Sequence, residues 1–231
     1  MSAIMIVVAL ACLTGGAIAL WVVGSLRFTS GVERPKYSVL DKKSGYEIRE
    51  YEPYIVAKTE LSGSFSRSLN RGFGIIANYI FGNNVHARST VTQEASSTDG
   101  LEIRSEKIPM TAPVLSEKGR DREMQDKYAI SFVMPSKYTL TTLPVPRDSR
   151  VELLPIKRHV VAAVKFSGYS TERRVLRISQ QLRENLARDK IKARSGYKVA
   201  QYDPPFAFPL IRQNEVLIDL EEDVTPEIQR S

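Results

Sequence analysis

The chain has 231 residues, 42% of them hydrophobic, enough to bury a core in one ordinary domain or two small ones, which excludes a disordered chain. No Asp, Glu, Lys or Arg precedes Arg27, so the formal +7 belongs wholly to residues 27–231; such a balance suits carboxylates, phosphates or an anionic membrane surface, or is simply a solvated mixed-charge face. The single cysteine, Cys12, excludes disulfide frameworks, zinc clusters and iron–sulfur sites, and no C-x-x-C-H attachment sequence occurs.

From Ala3 to Leu26 every residue is apolar or small. If helical, these ~24 residues would reach roughly 36 Å, more than a hydrocarbon core of ~30 Å. Residues 1–27 are therefore expected to be a retained transmembrane anchor. A cleavable signal peptide, suggested by Ala17-Ile18-Ala19, fits less well because no basic residues precede the run. Arg27, Arg34, Lys36, Lys42 and Lys43 follow it, which predicts a domain on the cytoplasmic side, with export as the alternative. Residues 28–43 read as a polar tether, 44–222 as the domain and 223–231 as a C-terminal tail.

The domain repeats internally. Residues 46–63 set against 151–168, an offset of 105, match Glu47 with Glu152, Val56 with Val161, Ala57 with Ala162, Ser62 with Ser167 and Gly63 with Gly168. Each copy predicts a strand, a turn, a second strand, Ser-Gly and a helix. The expectation is α+β: two halves, about 44–140 and 150–222, each a helix on an antiparallel sheet. Residues 141–150, with Pro144 and Pro146, form the hinge.

The first helix, about Ser64 to Phe81, carries Leu69, Phe73, Ile76 and Ile80 on one face with Ala77 beside them, and also Phe65, Ile75, Tyr79 and Phe81 elsewhere. Its charges are Arg67 and Arg71. That is more apolar surface than packing on one sheet requires, and it suits burial on two sides, a flat apolar ligand, a partner or a lipid headgroup region near the anchor. The second helix, about Thr171 to Arg188, has one core stripe, Val175, Ile178, Leu182 and Leu186, and an outer face dense in charge. Between the helices lie a polar insertion with a hairpin turn expected at Asp99-Gly100, a strand from Tyr128 to Met134, and Lys107-Ile108-Pro109-Met110-Thr111-Ala112-Pro113-Val114. Prolines flanking Met-Thr-Ala make this last stretch an edge strand or a shaped rim.

Chemistry-bearing residues are few. His86 sits on a loop past the first helix, within reach of a ligand lying on it; His159 occupies the repeat position of Tyr54 and reads as a sheet or turn residue. No nucleophile elbow, P-loop or dinucleotide fingerprint occurs, so catalysis is not expected. Glu215, near Arg212, reads as a buried ion pair closing the last strand. The basic run Arg188, Lys190, Lys192, Arg194 and Lys198 is a solvated surface of the ordinary kind, or receives carboxylates or faces anionic lipid.

Tyr46-Glu47-Ile48-Arg49-Glu50-Tyr51, the helix end Tyr79-Ile80-Phe81-Gly82-Asn83-Asn84, the Ile108–Val114 stretch, and Tyr202-Asp203-Pro204-Pro205 with Arg212-Gln213-Asn214-Glu215-Val216 together resemble the SOUL family of haem-binding proteins. The resemblance covers roughly residues 37–222. It implies a distorted antiparallel β-barrel with two helices and pseudo-twofold symmetry, similar to effector-binding domains of certain bacterial regulators. It also implies haem or a related tetrapyrrole, held non-covalently in an apolar groove beside the first helix. Carried across, the groove would be lined by Leu69, Phe73, Ile76, Ala77, Ile80 and Met110. Arg71, Arg212 or the 188–198 run would face propionates, and His86 is the candidate metal ligand. The expected partners are this ligand and, through residues 3–26, a membrane, with no nucleic acid. The role would be carrier, buffer or sensor. The alternatives are a small-molecule hydrolase or lyase using Glu47, Glu152 or Glu215 beside a tyrosine, and a membrane-proximal interaction module.

Overall fold

The computed structural model describes residues 31–86, 105–119, 127–204 and 206–221, with Trp21 and Gly24. Apart from those two residues the expected anchor lies outside the described residues, as do the expected Asp99-Gly100 turn and the tail at 223–231. Among the described residues no helix is long and apolar enough to cross a membrane.

In chain order the elements are β1 (Tyr37–Lys43), β2 (Tyr46–Tyr51), β3 (Tyr54–Ser62), α1 (Phe65–Ile80), β4 (Asn84–Val85), β5 (Val114–Lys118), β6 (Lys127–Val133), β7 (Val145–Pro146), β8 (Glu152–Ile156), β9 (His159–Ser167), α2 (Glu172–Arg188), β10 (Lys198–Gln201) and β11 (Gln213–Asp219). Nine strands form one curled antiparallel sheet in the order β1-β2-β9-β11-β10-β5-β6-β3-β8, and β4 pairs with β7 apart from it. The α+β class is as expected, but the barrel is not closed. β1 and β8 are free edges, so the sheet is a half-barrel. At one edge a register shift between Val39 and Asp41 bends β1, as bulges at sheet edges do.

The repeat has a structural counterpart. β3 and β9 begin and end at the offset of 105, and Gly63 (φ +135°) and Gly168 (φ +89°) both adopt a backbone that favours glycine, which is why Ser-Gly recurs. The halves are nevertheless not separate sheets. β2 pairs with β9, whereas β8 pairs with β3, so each half receives the first strand of the other. The links at 52–53 and 157–158 are corners carrying the chain from one part of the sheet to the next, not hairpin turns. Residues 37–43, expected within the tether, form β1. Their faces are mostly exposed, so no period-2 apolar signal marks them.

Both helices pack on the sheet through its buried apolar face. α2 seats Val175, Leu182 and Leu186 against Ile48, Ala162, Val216 and Ile218. α1 seats Ile76 and Ile80 against Ala57, Ile130 and Phe132. A second cover lies over α1: Tyr79 Oη donates to Pro144 O at 2.8 Å, and the Ile108 amide donates to Ile80 O at 2.8 Å. Ile75 and Tyr79 are buried as a result, Phe65 is buried against Tyr128 at the other end, and Phe81 stays exposed. Much of the helix's apolar surplus is thus absorbed by burial on two sides. The Lys107–Val114 stretch is a rim, with no strand before Val114, Thr111 bridged to Glu33, and a cis Ala112–Pro113 bond.

Candidate functional site

Cover over α1 is not uniform along its length. The 134–151 segment packs on its C-terminal half, and the N-terminal half is left as one wall of a cavity of about 510 Å³. The cavity is lined by Phe65, Leu69 and Phe73 from α1, Met110 and Val114 from the rim, and Tyr169, Tyr202, Pro204 and Arg212 from the facing loops. Its lining is predominantly apolar and its size lies within the ~300–1,000 Å³ of small-molecule sites. Phe73 is braced by Phe132 (centroids 5.2 Å) and Phe65 by Tyr128 (5.6 Å). Arg212 supplies a cation at the cavity, held over the Tyr169 ring at 4.5 Å, with its Nε donating to Ala207 O at 3.0 Å.

Of the residues expected to line the groove, the structure brings together Leu69, Phe73, Met110 and Arg212. Ile76, Ala77 and Ile80 do not line it; they are buried in the core under the C-terminal half of α1. The helical period places them on the same face, but the sheet already covers that end of it. Arg71 points to solvent. His86 lies past the other end of α1, with Nε2 3.0 Å from Glu106 Oε2, and is not among the residues lining the cavity. His159 is a sheet residue stacked on Tyr51 (5.6 Å, 14°). Phe65, Val114, Tyr169, Tyr202 and Pro204 line it without having been expected to; of these Phe65 is reached by extending the Leu69–Phe73 stripe back by one turn, and the others come from segments no local pattern brings to α1.

A second constellation lies on the other face of the sheet, since Arg49 alternates with Ile48, which packs under α2. Arg49, fully buried, grips Glu215 through two hydrogen bonds, Nη1 to Oε2 at 2.9 Å and Nη2 to Oε1 at 3.0 Å, and its Nε donates to Glu47 at 2.9 Å. Tyr202 Oη donates to Glu215 Oε2 at 2.7 Å, and both residues line an adjoining cavity of about 440 Å³. Burial and the Glu215 charge push the Tyr202 phenol far up, so it stays protonated and donates. The expected ion pair of Glu215 therefore exists with Arg49 as partner, not Arg212. The carboxylate does sit beside a tyrosine and a cavity, as a hydrolase would need. Both of its oxygens are nevertheless engaged by Arg49, which leaves it poorly suited to accept a substrate proton.

An exposed aromatic edge adjoins the first cavity. Phe206 and Leu210 are 58% and 75% exposed, and Trp21 Nε1 donates to Phe206 O at 2.8 Å while its ring meets Phe208 edge-on at 5.1 Å.

The family model described as SOUL heme-binding protein matches residues 32–219. No curated protein matches the chain. Among solved structures, the C-terminal domain of EcmrR shares 9% identity at a TM-score of 0.52, covering 80% of this chain and 98% of that one. A hydrolase from Listeria innocua shares 11% identity at a TM-score of 0.48, covering 78% and 94% respectively. At 9% identity the EcmrR domain is a likeness of fold alone.

Proposed function

We propose, for a chain that belongs to the SOUL heme-binding protein family, that it binds haem or a related tetrapyrrole non-covalently in the cavity beside the N-terminal half of α1. The observation that carries this reading is the lining itself: Phe65, Leu69, Phe73, Met110 and Val114 offer an apolar wall, and Arg212 a cation where a propionate would reach it. Apolar burial is worth about 25 cal/mol per Å², from which association subtracts ~4–15 kcal/mol, and we assign the chain the role of carrier, buffer or sensor.

The iron of a bound haem would take a donor atom from the cavity wall. No histidine or cysteine is among the described residues lining the cavity, and the thioether of Met110, 37% exposed, is the side chain suited to meet it. Held protonated by Glu215, Tyr202 is not suited to anionic ligation. The reading includes a membrane tether through residues 3–26, with the domain on the cytoplasmic side; its support is the apolar run and the basic residues after it.

The test is a hemin titration of the full chain in detergent micelles, followed by Soret absorption, with Leu69→Glu and His86→Ala alongside. A saturable one-to-one change that Leu69→Glu weakens and His86→Ala leaves intact is expected. No saturable change, or equal binding by Leu69→Glu, would overturn the assignment.

A further inference from the structure

We infer that the edge of this cavity formed by Trp21, Tyr169, Phe206 and Leu210, with Arg173, Arg177 and Arg212, rests on an anionic lipid bilayer, so that the cavity opens at the membrane interface. The apolar side chains here are held outward by the fold. Ala207 is fully buried, its amide donates to Pro204 O at 3.0 Å, and its carbonyl accepts from Arg212 Nε at 3.0 Å. The short turn Pro209–Ile211 then presents Leu210, 75% exposed, while Phe206 on the near side is 58% exposed. Tyr169, 55% exposed, continues the edge across the cavity. Water-exposed aromatic and leucine tips on a braced loop are the composition of interfacial anchors.

Charge identifies the occupant. Arg173 and Arg177 are exposed one turn apart at the start of α2 with Leu176 beside them, directly after the cavity-lining residues 169–171. Arg67 and Arg71 are exposed on the first turns of α1, which has no acidic residue in its first turn. Neighbouring acids are engaged: Glu172 accepts from Tyr128 and pairs with Lys118, and Asp203 accepts the Gln213 amide. Apolar tips ringed by arginines match an interface with hydrocarbon below and phosphate above. Continuity points the same way, because Trp21, whose indole is bonded to this loop, belongs to the apolar run at 3–26. An indole with one polar edge is at home at headgroup depth. A cavity open at that depth would exchange a lipophilic ligand with the bilayer and not through water. The inference rests on the tether proposed above and not on the identity of the ligand.

Trp21 is the only tryptophan of the chain, so the reporter can be moved. The full chain with Trp21→Phe and Leu210→Trp is reconstituted in phosphatidylcholine vesicles, with and without phosphatidylserine, containing lipids brominated near the headgroup. Trp21→Phe with Val145→Trp reports from the opposite end of α1. At position 210 we expect a blue-shifted emission quenched several-fold more than at position 145. Phosphatidylserine should strengthen that quenching, and Arg173→Glu with Arg177→Glu should weaken it. A chain that floats with the vesicles but quenches equally at both positions overturns the docking alone. One that does not float overturns the tether as well. A blue shift at 210 in lipid-free detergent solution, matched by a dimer in sedimentation, would assign the edge to a second copy and overturn the inference. Hemin binding in micelles is read separately, so its failure is not confused with any of these.

Discussion

Arg49 and Glu215 stand 166 residues apart in the chain and face each other through two hydrogen bonds of 2.9 and 3.0 Å, with the guanidinium wholly shielded from water. They sit on β2 and β11, which flank β9, so the pair ties the first strand of one repeat to the last strand of the other. Tyr37 lies against the guanidinium face at 4.5 Å, and Glu47 takes the remaining Nε proton. Burial disfavours the charge of Arg49, but the hydrogen bonds and charges of Glu215 and Glu47 outweigh it and raise its pKa further. A cluster so fully committed ties β2 and β11 together across β9 and has little freedom for chemistry.

Removing one partner should therefore cost more than removing both. Arg49→Ala leaves Glu215 buried without its counter-charge, and we expect a loss of ~3–5 kcal/mol in urea unfolding. Arg49→Met combined with Glu215→Leu should lose distinctly less, because no charge is stranded. Additive costs in the double mutant would show that the two side chains do not act as a pair.

Two glycines of α1, two residues apart, should respond in opposite ways. A Cβ on Gly72 would lie 2.5 Å from Ile130 Cγ1 and 2.8 Å from its Cβ, whereas one on Gly74 meets nothing within 4 Å. Gly72→Ala should destabilise by ~1–3 kcal/mol through forced separation of helix and β6. Gly74→Ala should stabilise by ~0.5–1 kcal/mol through helix propensity. Because Gly72 is what lets α1 sit close to β6, Gly72→Ala should also weaken hemin capture beside Phe73. Equal melting temperatures for the two alanine variants would remove this account of the helix–sheet contact.

What the sequence disclosed and what it withheld follow from the same geometry. The offset of 105 was legible because Ser62-Gly63 and Ser167-Gly168 meet one backbone demand twice, at matching strand ends. The exchange of β2 and β8 between halves left no such mark, since a two-residue corner and a two-residue hairpin turn look alike in one dimension. Helical period put Leu69, Phe73, Ile76 and Ile80 on one face, and that was right as a face. Which part of it is open depends on where the 134–151 segment crosses, and no local pattern encodes that. The partner of Glu215 was misread for the same reason: Arg212 is near in sequence, and Arg49 is near in space.

His159 should titrate below the ordinary histidine value of about 6.5. Burial against Tyr51 and Tyr54 lowers it, as do the Lys198 and Arg194 charges, while the Lys157 carbonyl 2.9 Å from Nδ1 and Asp219 oppose them. With the folded value depressed, the unfolded chain binds more protons in that window. Stability is then complete above pH ~6.5 and falls as pH drops toward the folded value. In a His86→Ala background the single imidazole can be followed by proton NMR, and His159→Gln should remove this part of the pH slope. An imidazole titrating at or above 6.5 would contradict the assignment.

The division of α1 into a buried half and a cavity half can be separated by two truncations on the same face. Ile76 has no exposure and sits on the sheet, so Ile76→Ala should cost ~2–5 kcal/mol of stability and leave the affinity of the folded protein for hemin nearly unchanged. Phe73 is half-buried, braced by Phe132 and open to the cavity. Phe73→Ala should lose less stability and weaken hemin capture by about tenfold, which corresponds to ~1.4 kcal/mol of contact with the ligand. Urea midpoints and Soret titrations on the same two variants give both quantities. If Ile76→Ala weakened hemin capture as much as Phe73→Ala while remaining folded, the ligand would have to lie along the whole helix. The cover over its C-terminal half, held by Tyr79 on Pro144, would then have to open to admit it.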